Sequence, residues 1–227
     1  MLGTLINVIT VITGGLVGTL FRKNLPERFK KIVFEAIGLA TLGLGIIMIL
    51  KMNDPVIVII SLVVGSLIGE IANIEKGIDS FSELMKSKFK ISDERFSEGL
   101  VTAFITFCIG PMTILGSIQD GFGDPSILIT KSILDGFTAT FYASAMGIGV
   151  VFSSVLLLIY QGGLTMFAGF LKPMISDYML QNFTATGGII MLGIGIRLLE
   201  IKRVRVANML PALIITPILV AFNFKFL

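Results

Sequence analysis

FCIGPMTILGSIQDG, residues 107–121, is an apolar run interrupted by Gly110-Pro111 and then seeded with Thr113, Ser117, Gln119 and Asp120. A helix that crosses a bilayer gains nothing from a breaker in its middle unless something satisfies the backbone it frees. Proline removes one N–H donor, and a carbonyl orphaned in hydrocarbon costs several kcal/mol. The run therefore predicts a broken segment that lines protein or water, and it is the first place to look for function.

Working outward, the composition is that of a membrane protein. Of 227 residues 54% are hydrophobic and 15% charged, with a mean hydropathy of +0.94, against roughly 25% charged in a soluble domain. Apolar windows recur along nearly the whole chain, so residues 1–227 read as a single transmembrane domain. The opening run lacks a basic n-region and an A-x-A cleavage site, which predicts a retained span. A single cysteine, Cys108, excludes an intramolecular disulfide and a Cys-based metal cluster, and the absence of histidine excludes His-dependent catalysis and His-ligated zinc. The formal charge of +3 sits mainly in loops and is no nucleic-acid signal.

About 20 apolar residues are needed to cross a bilayer core of ~30 Å. Eight windows approach that length: 2–21, 32–51, 55–72, 98–118, 126–145, 146–160, 183–199 and 206–224. The fold class is thus an all-α polytopic membrane protein of about seven or eight transmembrane helices. The tract 126–160 holds either a tight turn or a kink near Ser144–Gly147. Residues 164–181, with Lys172, Pro173 and Asp177 among apolar neighbours, predict an interfacial or re-entrant segment. Residues 75–97 mix both charge signs and predict a cytoplasmic loop with a short solvated helix. Basic residues follow the first, third and seventh windows, which puts the N-terminus outside by the positive-inside bias.

The chain also echoes itself. Gly38-Leu-Ala-Thr-Leu-Gly-Leu-Gly-Ile46 is matched by Gly188-Ile-Ile-Met-Leu-Gly-Ile-Gly-Ile196, and Thr13-Gly-Gly-Leu16 by Gln161-Gly-Gly-Leu164. With the orientation above, residues 1–74 and 146–227 would form an inverted repeat of three-helix units around a central helix pair at 97–145. Such repeats build many transporters. Glycines that merely let helices approach closely would read the same way.

Several polar residues fall inside the apolar windows. Lys131 and Asp135 stand one turn apart in the fifth and share a helix face. Asp135 lies about ten residues in, ~15 Å deep at 1.5 Å per residue. A charge there is costly and by default marks a pathway. Its alternative is an ion pair that only fixes packing. Thr113 and Ser117 either face a solute or bond back to their own helix. Gln119 belongs to the same stretch, while Asp120 sits at its outer rim beside Asp124 as an entrance or capping residue. Tyr160 and Gln161 close the sixth window beside Gly162-Gly163. Asn7, Thr10 and Thr13 form a polar stripe on the first, a pattern more often used for interhelical hydrogen bonds.

The strings FCIGPMTILGSIQDG (107–121), KSILDGF (131–137), VVFSSVLLLIYQGGLT (150–165) and VANMLPAL (206–213) are similar to the signature blocks of domain of unknown function 554, a bacterial membrane family. The resemblance runs over essentially the whole chain. It implies a multi-pass protein of the bacterial inner membrane and names no activity. The expectation is a secondary transporter or permease for a small polar or ionic solute, held at Pro111, Thr113, Ser117, Gln119, Asp120, Lys131, Asp135, Tyr160 and Gln161. No nucleotide-binding loop of the G-x-x-x-x-G-K-[ST] type is present, so an ion gradient would supply the energy. A passive channel or a dimeric scaffold, with the glycine ridges as homodimer interfaces, is the alternative. No enzymatic activity and no cofactor are expected, and the metal requirement stays open.

Overall fold

A computed structural model describes residues 1–24, 26–91, 93–108 and 110–222. Among them the chain is all-helical: α1 (Leu2–Asn24), α2 (Glu27–Ile49), α3 (Pro55–Ile71), α4 (Ile74–Phe89), α5 (Phe96–Cys108), α6 (Pro111–Gly121), α7 (Ser126–Met146), α8 (Gly149–Met166), α9 (Ala168–Leu171), α10 (Asp177–Leu198) and α11 (Ala212–Ala221). Two 3-10 turns, Lys172–Met174 and Val206–Met209, precede α10 and α11.

Among the described residues, four helical stretches are long and apolar enough to cross a membrane: Leu2–Arg22, Lys31–Ile49, Gly149–Met166 and Asp177–Leu198. The count reaches six if each of two bent pairs is one span, α3 with α4 at 51° and α5 with α6 at 67°. Fewer helices qualify than the eight windows, for physical reasons. α7 has the length, 21 residues, but Lys131, Asp135 and its hydroxyl side chains dilute its apolar character. The window 206–224 becomes a 3-10 turn and a ten-residue helix, together an apolar stretch, Val206–Ala221, too short to qualify. Its end at Phe224 lies outside the described residues. The tract 126–160 resolves into two helices. Gly147 sits between them at φ +81°, a conformation costly for any residue with a Cβ. Residues 164–181 hold the end of α8, the short α9, a turn and the start of α10. The mixed-charge stretch forms α4.

Contacts divide the chain into two compact units, residues 1–34 with 88–173 and residues 35–87 with 174–227. In the first unit, α1 and α7 pack closely together and run parallel. A Cβ on Gly3 would meet Leu128, one on Gly14 would lie 2.2 Å from the Gly136 carbonyl, and one on Gly18 would lie 2.2 Å from that of Thr140. Only glycine lets the two backbones come so close. α8 runs antiparallel to α1, since Thr4 meets Thr165 while Gly15 meets Val151. It runs parallel to α5, with Gly149 on Phe96 and Tyr160 edge-on to Phe104. Phe96, Leu100, Phe107, Leu128, Met146 and Leu157 are fully buried in this unit.

In the second unit, α2 and α10 are antiparallel. Gly45 abuts the Gly188 carbonyl, Gly188 abuts that of Gly45, and Gly195 abuts that of Gly38. α3 and the 206–221 segment are also antiparallel, through Gly65 on Ala212 and Gly69 on Asn208. Asp54 caps α3, accepting from the N–H groups of Val56 and Ile57 and from the Tyr178 hydroxyl at 2.9 Å. At the far end of α3, Asn208 accepts from the Glu75 N–H at 2.7 Å and donates to Glu70 at 2.7 Å, while Arg205 pairs with Glu70 and Arg197 with Glu75.

Candidate functional site: a buried polar seam

The break at Gly110-Pro111 is built as the sequence suggests, and Thr113 repairs it. Gly110 is extended and Pro111 opens α6, where its missing N–H is not needed. In an unbroken helix the N–H of residue 111 would bond to the Phe107 carbonyl, and proline has none to give. The Thr113 hydroxyl takes over, donating to the Phe107 carbonyl at 2.8 Å. Ser117 donates in turn to the Thr113 carbonyl. Both side chains are fully buried and committed to backbone. Thr113→Val, nearly isosteric, should leave the Phe107 carbonyl unpaired and cost about 1–3 kcal/mol. Thermal unfolding of the detergent-solubilised variant checks this, and a melting temperature equal to wild type would contradict it.

Asp120 holds the start of α1 rather than an entrance. It is 4% exposed and accepts from the N–H groups of Gly3 at 3.0 Å and Thr4 at 3.1 Å and from the Thr4 hydroxyl at 3.1 Å. The amino group of Met1 lies 3.1 Å away. The first N–H groups of a helix have no partner in their own turn, and the helix dipole favours a carboxylate there. Capping was one of the two roles expected, but the residue is buried, not on an open rim. Asp124 does the same for α7 in the exposed connection: the N–H and hydroxyl of Ser126 bond to it and hold its carboxyl below its ordinary value.

Lys131 and Asp135 pair, as their spacing predicts, and both are buried, at 5% and 8% exposure. The carboxylate also accepts from Asn7 Nδ2 at 3.0 Å, and the same Nδ2 donates to Gln161 Oε1 at 3.0 Å. The amide orientations follow from the carboxylate, which can only accept. Asn7 must therefore turn its NH2 toward Asp135, and Gln161 must turn its oxygen toward that NH2. This leaves Asn7 Oδ1 and Gln161 Nε2, on two fully buried side chains, without a partner among the described residues. Thr4 and Thr165, at 3.1 Å from each other, continue the seam one turn away.

The seam thus joins α1, α6, α7 and α8, and its ends are Asp120 on α6 and the Lys131–Asp135 pair on α7. Counted along α7 alone, Asp135 is near the middle. Its carboxylate nevertheless meets α1 in the second turn, because helical side chains lean toward the N-terminus. Of the other expected residues, Gln119 is exposed and stands apart from the seam. Tyr160 is half-buried against Phe104, with ring centroids 6.3 Å apart. The side chain of Pro111 lies outside the described residues. Asn7, expected only as part of a polar stripe, is a central member of the seam, and Thr4 and Thr165 join it. Their signals were the spacings Thr4–Asn7 and Gln161–Thr165, three and four residues, each on one helix face. No group of three or more His, Cys, Asp or Glu side chains suited to a metal occurs among the described residues.

Comparison with known proteins identifies the family. The chain is 34% identical to the uncharacterised membrane protein YdfK of Bacillus subtilis (strain 168), over 235 residues and the full length of both. It is 37% identical to the uncharacterised protein YqgA of Escherichia coli (strain K12), over 221 residues covering 95% of this chain and 94% of that one. No solved structure matches. The family model for Protein of unknown function (DUF554) matches residues 2–221, and the chain, a helical protein with several membrane-spanning candidates, belongs to that family.

Proposed function

We propose that the protein is a secondary transporter or permease for a small polar or ionic solute, with Asn7, Lys131, Asp135 and Gln161 as its binding residues. The observation that carries this reading is the Lys131–Asp135 pair buried in a seam with an acceptor, Asn7 Oδ1, and a donor, Gln161 Nε2, left unspent. A pair that only fixed packing would gain from satisfied neighbours, because each unmade buried hydrogen bond costs about 1–3 kcal/mol. A solute carrying both donor and acceptor groups offsets that cost. Thr113, Ser117 and Asp120 serve the site by holding the broken helix and the start of α1 in place.

The inverted repeat belongs to this reading. Counterpart helices of the two triplets, α1 with α8, α2 with α10 and α3 with α11, are antiparallel neighbours, as inversion requires. In the echoed strings Gly38 corresponds to Gly188 and Gly45 to Gly195. Gly45 packs on Gly188 and Gly195 on Gly38, so the contact exchanges equivalent glycines. The parallel pairs α1–α7 and α5–α8 suit eight alternating segments, and the basic loops after the first, third and seventh windows favour an N-terminus outside the cell membrane. The close approaches of Gly14, Gly18, Gly45 and Gly188 fall inside the chain, which favours this over a scaffold that reserves those ridges for a second copy.

Proteoliposomes carrying voltage- and pH-sensitive dyes, offered a panel of amino acids, sugars and inorganic ions, test the function. Saturable uptake that depends on a Na⁺ or H⁺ gradient, and falls at least tenfold in Gln161→Met, is expected. Gradient-independent conductance, or uptake untouched by the substitution, would overturn the proposal.

A further inference from the structure

A second candidate site lies in the other unit. α3 lays Leu62, Val63, Ser66 and Leu67 along one side of a groove of about 470 Å³, with Ile189 of α10 and Met209 opposite. Leu62 to Glu70 spans ~12 Å at 1.5 Å per residue. The lining is apolar apart from one hydroxyl until the last turn of α3, where Glu70 meets Arg205. The groove therefore has an apolar floor along the helix axis and an ionic end.

That end presents three exposed basic side chains beside the half-exposed Glu70. Glu70 spends one oxygen on Arg205 and the other on Asn208. The side chain of Arg205 is 63% exposed and that of Arg203 73% exposed, with Lys202 exposed beside them. Each guanidinium carries five N–H donors in a fork that matches phosphate, and single contacts with Glu70 and Glu75 leave most of them facing outward.

We propose that this groove binds an anionic phospholipid, one acyl chain lying along α3 and the phosphate on Arg203 and Arg205. A soluble anion has no use for the apolar floor, and a zwitterionic lipid brings its own cation to the exposed Lys202, Arg203 and Arg205, each guanidinium having only a single carboxylate contact. Basic residues at the cytoplasmic ends of membrane helices attract anionic headgroups. The site shares no residue with the seam in the first unit and stands independently of the transport reading.

Native mass spectrometry of the delipidated protein, titrated with phosphatidylglycerol, with phosphatidylcholine of the same chains and with glycerol phosphate, tests it. One tightly bound phosphatidylglycerol is expected, held roughly tenfold or more better than phosphatidylcholine. Arg203→Gln with Arg205→Gln should abolish that preference. Arg203→Gln alone, at an exposed position, should weaken it without touching the Glu70 pair. Val63→Trp, filling the groove, should reduce phosphatidylglycerol binding with the arginines intact. Equal binding of the two lipids, a preference that survives the arginine substitutions, full binding to Val63→Trp, or equal competition by glycerol phosphate would each overturn the proposal.

Discussion

Asp135→Asn alone is expected to destabilise the protein by about 3–5 kcal/mol, and Lys131→Met alone by a similar amount, whereas the double variant should recover most of the loss. The single changes leave one charge without its partner in a seam where both side chains are buried. The double change removes both charges, and the remaining Asn7–Gln161 bond needs neither of them. Thermal unfolding of the four forms in one detergent gives the stability cycle. A double variant no more stable than the worse single would mean that the pair is not self-contained. The same four forms separate packing from function. If the double variant folds yet fails to take up any solute that the wild type does, the carboxylate or the ammonium acts on the solute. If it folds and transports normally, the pair is a packing device and the transport reading loses its central residues.

Gly14→Ala together with Gly18→Ala is the second large expected effect. A new Cβ at either position would lie 2.2 Å from a carbonyl oxygen of α7, that of Gly136 or of Thr140. The obstructing atoms are backbone, so relief requires α1 to lift away from α7 along its length. Overpacking of this kind costs about 1–3 kcal/mol per site. It would also carry Asn7 away from Asp135 and Thr4 from Asp120. Gly163→Ala on α8 is the control, because nothing lies within 4 Å of a Cβ there. Loss of the folded species on size-exclusion chromatography is expected for the α1 pair and not for Gly163→Ala. A well-folded double variant would show that the α1–α7 contact tolerates separation.

Much of this was written in local residue order, and what was not depends on distant partners. Lys131 and Asp135 could be paired on paper because four residues place them on one helix face. The break at Gly110-Pro111 could be placed because proline chemistry is local. Thr113 shows where local reading stops, since its task follows from which carbonyl proline leaves unpaired. The partners of Asn7 lie 128 and 154 residues away, and no periodicity in α1 points to them. Asp120 looked peripheral because the sequence places it at a segment end beside a turn. Only the docking of α1 onto that end buries it. The window at 206–224 yields the apolar stretch Val206–Ala221, and hydropathy alone does not register how short it is.

The parallel pairing of α1 with α7 has a consequence in time. Gly3 finds its cap 117 residues later in Asp120, and Asn7 finds Asp135 only 128 residues on. At ribosomal speeds of about 5–20 residues per second, α1 waits roughly 6–30 seconds before its partners exist. Through that interval its first-turn N–H groups and the Asn7 amide have no intended acceptor. α1 is therefore made long before its partners and among the last helices of this unit to be housed, so biogenesis of this unit depends on keeping an unpartnered helix in reserve while most of the unit is made.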